Sequence, residues 1–124
     1  TYAQDAPTFV TAEQVEQSIQ SACKFLLTGQ NPTTGDWPQY LGGHGTGQTA
    51  LVTLALLNAG YDPNHPKVRS AIEYLRNSTP TKTYETALQV MVFCAASPKR
   101  DLDRINRLVR NIEIGQRKDN GWGY

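Results

Sequence analysis

Five helical apolar patterns follow one another in this chain, and they alternate in kind. The first, after Thr11, is one-sided: Val15, Ile19, Ala22, Cys23 and Leu26 share a stripe, with Glu13, Glu16, Gln17 and Gln20 opposite. The second, Gln48 to Ala59, is apolar almost all round through Ala50, Leu51, Val52, Leu54, Ala55, Leu56, Leu57 and Ala59. The third opens at Pro66 and returns to a single stripe of Val68, Ala71, Ile72 and Leu75. The fourth, Thr83 to Ala96, is again apolar all round, and the fifth, from near Asp101, carries the stripe Leu102, Ile105, Leu108, Val109, Ile112. A helix that is apolar on every side must be covered on most of them, so the second and fourth belong inside a layer formed by the others. The expected class is all-α, with inner helices against outer ones. A double layer of antiparallel pairs, an α-solenoid or a curved α/α ring would each satisfy it.

Local signals punctuate the same scheme. Thr11 with Gln14 three residues on makes a capping box, and Val10 with Val15 a hydrophobic staple. Gly29 is placed for a left-handed stop, and Gly60 with Asp62-Pro63 ends the second pattern. Pro66 suits a first helical position, while Asp101 and Asp103 suit a helix N-terminus, where the backbone dipole favours acids. Val90 and Val92 would allow a strand, but the length of that run favours a helix.

At 124 residues the chain is one domain or a piece of one: an N-terminal arm over 1–10, then a helical unit over 11–124. The formal charge of +1, with no basic run, argues against nucleic-acid binding. The apolar stretches are too short for a transmembrane segment. Cys23 and Cys94 fit no disulfide framework or zinc spacing, and their apolar positions read as buried thiols. The arm lacks a signal-peptide core, although Thr1-Tyr2-Ala3 would fit the residue of a cleaved leader, which leaves export and the cytoplasm both open. The loop Gly42-Gly43-His44-Gly45-Thr46-Gly47 lacks the Lys-Ser/Thr ending of a phosphate-binding loop and follows no strand.

A second regularity joins the helices. Gln30 is followed by a polar turn containing Gly35 and then by Trp37; Gln116 is followed by Asn120, Gly121 and Trp122. These are the only two tryptophans of the chain. With Phe25-Leu26 ahead of Gln30, the first copy resembles the QW repeat of squalene-hopene cyclases, whose α/α-toroid is shared with protein prenyltransferases. Thr49 to Gly60 and Thr83 to Leu88 are similar to the inner helices of that group. The middle repeat departs from the pattern: Tyr74-Leu75 keeps the aromatic-Leu pair, but Thr79 stands where the glutamine would. In the last repeat Asn111-Ile112 replaces that pair. The resemblance implies a partial toroid of two inner and three outer helices, the N-terminal part of a longer domain, with an open helical edge suited to self-association. It also implies a structural role for Gln30, Gly35, Trp37, Gln116, Gly121 and Trp122. An amide can satisfy a donor and an acceptor at a helix end, and an indole can shield those bonds.

Catalytic motifs of that group are missing. There is no DxDD acid motif, no set of aspartate, cysteine and histidine for zinc, and no thioester motif; Asp101-Leu102-Asp103-Arg104 reads as dipole capping. No cofactor and no metal is expected. What the resemblance leaves is a ligand site at the starts of the inner helices, drawn from His44, Gln48, Thr49, Tyr84 and Glu85. Glu85 is the sole acid of the inner helices; it is either a first-turn cap or a proton donor. The expectation is a binding or interaction module for a hydrophobic or isoprenoid small molecule or another protein. The alternative is part of a terpene cyclase or prenyltransferase whose catalytic residues lie elsewhere. A tetratricopeptide-type solenoid is disfavoured, because Phe25, Tyr74 and Asn111 do not recur at its period of about 34 residues.

Overall fold

A computed structural model describes residues 9–38 and 46–123. Among them are five helices and no strand: α1 (Ala12–Thr28), α2 (Gly47–Asn58), α3 (Pro66–Arg76), α4 (Thr83–Ala96) and α5 (Leu102–Ile114). The all-α expectation holds, and α4 spans the residues its apolar run indicates.

The helix starts follow their local chemistry. Thr11 Oγ1 accepts the Gln14 N–H at 3.1 Å while Gln14 Oε1 accepts the Thr11 N–H at 3.0 Å, closing the capping box. Pro66 opens α3, and His65 Nδ1 accepts the Lys67 N–H. Gly60 takes the left-handed conformation, φ +99°, just past α2. Gly29 does not: its φ of −86° is right-handed, because the chain turns back through the Gln30 clip described below.

The core is built around α4, which packs on α2, α3 and α5; α2 also packs on α3. Ala50, Leu56, Val68, Ala71, Leu75, Val92 and Phe93 are fully buried there. Gln89, in the second turn of α4, donates Nε2 to Thr46 Oγ1 at 2.8 Å. A Cβ on Gly47 would meet Tyr84 Cε1 at 2.9 Å, so a glycine permits that approach. The two helices therefore begin at the same end and run side by side, with α3 and α5 packed on them.

Several burial expectations are corrected. Of the α1 stripe only Cys23 is buried; Val15, Ile19 and Ala22 are exposed, and so is Phe25. Among the described residues α1 is attached at its C-terminal end, and no helix lies over its first half. Val10 is also exposed, so the staple buries little. On α5, Ile105 and Leu108 are buried against α4, whereas Leu102 and Val109 face outward. Cys94 is exposed, because it lies on the side of α4 turned away from α2, α3 and α5.

Candidate binding site

Two turns of the same construction frame the helical unit. In the first, Trp37 Nε1 donates to the Leu26 carbonyl at 2.7 Å, Gln30 Nε2 to the Gly35 carbonyl at 2.8 Å, and the Asn31 N–H to the Asp36 carbonyl. In the second, Trp122 Nε1 donates to the Ile112 carbonyl at 2.7 Å, Gln116 Nε2 to the Asn120 carbonyl at 3.0 Å, and the Arg117 N–H to the Gly121 carbonyl. The second turn is one residue shorter, yet every bond is matched. Its left-handed residue is Asn120, φ 64°, corresponding to Gly35 at φ 84°. Gly121 therefore does not play Gly35's part. Asparagine tolerates the left-handed region, and Asn120 is exposed, with nothing docked on it among the described residues.

The two turns differ in what they hold. Gln30 Nε2 also donates to the Lys67 carbonyl of α3 at 2.8 Å, and Lys67 Nζ donates to the Leu27 carbonyl. Gly35 lies so close to α3 that a Cβ would come within 2.6 Å of the Ser70 carbonyl oxygen. The Trp37 N–H donates to Thr49 Oγ1 at 3.0 Å, which ties the same turn to α2. Trp37 is buried; Trp122 is 45% exposed, and Gln116 holds only its own turn.

The expected ligand residues divide into two groups. Gln48 and Tyr84 stand at the head of two solvent-facing stripes at helical spacing. One continues through Leu51 and Ala55 of α2, the other through Met91 and Ala95 of α4 with Cys94 beside it. Each of the two packed helices thus keeps a largely apolar stripe open to solvent. Thr49 and Glu85 turn inward instead. Thr49 accepts the Trp37 N–H, and its carbonyl takes the Thr53 hydroxyl, so its role is structural. His44 lies outside the described residues.

Glu85 is 1% exposed. Its Oε2 accepts the Thr81 N–H at 3.0 Å, as a first-turn acid does, while the buried Oε1 has no hydrogen-bond partner among the described residues. No group of three metal-ligating side chains occurs among the described residues, and no helix there is long and apolar enough to cross a membrane.

The strongest electrostatic feature is one the sequence did not disclose. Arg76 at the end of α3 meets Asp101 before α5, with Nη2 2.7 Å from Oδ2 and Nε 3.0 Å from Oδ1. Ser97 donates its hydroxyl to the same carboxylate, and Arg76 Nη1 also reaches Glu73 Oε1 at 2.6 Å. Both side chains of the central pair are over nine-tenths buried. Burial pushes the Asp101 carboxyl up, but the hydrogen bonds from Arg76 and Ser97 and the charge of Arg76 outweigh it, holding it below its ordinary value. The bond to Asp101, opposed by burial and helped by Glu73, raises Arg76. Asp101 thus makes no side-chain cap for α5; it joins α3 to α5. The partners are 25 residues apart, and no local motif connects them.

Comparison with protein-family models, with curated proteins and with solved structures found no match.

Proposed function

We propose that this chain is a segment of an α/α-toroid of the squalene-cyclase and prenyltransferase kind, acting as a binding or interaction module. The observation that carries the reading is the open face of α2 and α4. Leu51 and Met91 are about half exposed, on helices whose other sides form the core. Large exposed apolar residues arranged together mark places where something binds. The polar first turns with Gln48 and Tyr84 lie at one end of this face. That arrangement suits a ligand with a hydrophobic body and a polar head, and the edge beside it suits another protein or a second copy of the chain.

Cys94 gives a direct test, since it is exposed beside the Met91–Ala95 stripe of α4 while Cys23 is buried. Alkylation should modify Cys94 rapidly and Cys23 slowly. A long-chain isoprenoid alcohol should then slow the Cys94 reaction in a saturable way, whereas self-association would slow it with rising protein concentration and appear in light scattering. Cys94 reactivity indifferent to both would remove the support for a binding face.

One observation favours a second reading, part of an enzyme: the buried Oε1 of Glu85, without a hydrogen-bond partner among the described residues. Turnover of squalene or a polyprenyl diphosphate that disappears in Glu85→Gln would establish it in place of the first.

A further inference from the structure

Helices α1 and α5 both end in a glutamine-tryptophan turn, but α3 does not. Thr79 occupies the glutamine's place, and a short stretch over 77–82 leads straight into α4. No indole returns to the carbonyl end of α3. Arg104 of α5 does so instead, donating Nη1 to the Arg76 carbonyl at 2.9 Å. That carbonyl is the last of α3, one residue beyond Leu75, which matches Leu26 and Ile112; the Leu75 carbonyl is taken by the Ser78 N–H. The space beyond Arg104 is a cavity of about 310 Å³ between the 77–80 loop and α5.

The lining of this cavity is chemically one-sided. Arg104, Arg107 and Asn111 stand at helical spacing on α5; Ser78 and Thr79 face them from the loop, and the buried Gln89 closes the inner side. No acidic residue lines it. Arg104 is fixed by its bond to the Arg76 carbonyl and lies over the Phe93 ring, 5.6 Å from its centroid. Arg104 Nη2 and all the donors of Arg107 lack a hydrogen-bond or ion-pair partner among the described residues, although Arg107 is exposed and unconstrained. Asp101 lies behind Arg104 and accepts from its Nε at 3.4 Å as well as from the closer Arg76, so Nη2 and Arg107 are what Arg104 and its neighbour offer the cavity.

We propose that this cavity binds a tetrahedral oxyanion of the phosphate class, free or as an ester. Guanidinium groups recognise such oxygens through charge-assisted bonds. Donors here come from α5 on one side and from Thr79 on the other, since Ser78 gives its N–H and hydroxyl to the Leu75 and Tyr74 carbonyls. A tetrahedral anion presents acceptors in all those directions, whereas a planar carboxylate would use only part of the set. The site is separate from the α2–α4 face, on the side of α4 that meets α5.

The test is calorimetric titration of the full chain with inorganic phosphate at pH 8 in chloride buffer. One saturable site is expected, weakened at least about tenfold in Arg107→Gln, as loss of a charge-assisted contact predicts. The thermal midpoint of that variant without phosphate should be unchanged. Arg110→Gln, outside the lining, should bind as the parent does. Cosedimentation with phosphatidic-acid vesicles distinguishes the sources: retention lost in Arg107→Gln identifies a lipid ester, and its absence alongside phosphate binding identifies a soluble one. Four results would overturn the assignment: no saturable phosphate binding, equal affinity for acetate, undiminished binding in Arg107→Gln, or equal losses in Arg107→Gln and Arg110→Gln.

Discussion

Gly35 lies against Ser70 with no room for a side chain between them: a Cβ there would sit 2.6 Å from the Ser70 carbonyl oxygen and nearer still to its hydroxyl. The residue also has φ 84°, so two separate reasons require glycine. Through this contact and the bond from Gln30 to the Lys67 carbonyl, the turn after α1 is seated on α3.

Gly35→Ala should therefore destabilise the chain by about 2 kcal/mol or more, from backbone strain and the clash with Ser70 together. Asn120→Gly, at the matching position of the second turn, should change stability by no more than about 0.5 kcal/mol, because that turn is not seated on another helix. Chemical denaturation of the two variants checks the contrast. Equal losses would mean that the first turn is not held by its neighbour.

The tryptophans should separate in the same way. Trp37→Ala removes a buried ring, its bond to the Leu26 carbonyl and the packing that protects it, and should cost about 3–5 kcal/mol. Trp122 makes the same indole bond but is half out in solvent, so Trp122→Ala should cost about 1 kcal/mol. Thermal melts monitored by circular dichroism would rank the two.

Acid should weaken the connection between α3 and α5. The folded-state pKa of Asp101 lies below the ordinary value of about 3.9. Its contribution is thus fully present above that value and is lost as pH falls below it, through the folded pKa. Asp101→Asn should remove this part of the acid dependence. At neutral pH it should cost about 3 kcal/mol, because Arg76 loses its buried counter-charge and keeps only the half-exposed Glu73. Replacing Arg76 and Asp101 together by Met and Leu should cost much less than Asp101→Asn alone. Urea melts between pH 3 and 7 measure both effects.

The sequence is most informative where a signal is local. The capping box at Thr11, Pro66 at the start of α3 and the apolar run of α4 all depend on residues within one or two turns, and each appears where expected. Burial is less local. Val15, Ile19 and Ala22 form a stripe that is correct for a half-buried helix, yet the cover such a stripe calls for is absent among the described residues. The inner-helix pattern likewise calls for cover on Leu51 and Met91 without saying what supplies it. For Asp101 the first-turn position predicted a dipole role, and a partner 25 residues away took the carboxylate instead. Asn120 shows a further limit: the turn pattern points to Gly121, but the left-handed backbone angle falls on the residue before it.

A binding role for the open sides of α2 and α4 makes a definite spectroscopic prediction. The most direct measurement is methyl NMR of the full chain titrated with an isoprenoid alcohol such as farnesol. Saturable shifts at Leu51, Ala55, Met91 and Ala95, lost in Met91→Glu, are the predicted result. Shifts that never saturate, or that fall on the exposed Val15 and Ile19 of α1 and leave these four unchanged, would contradict it.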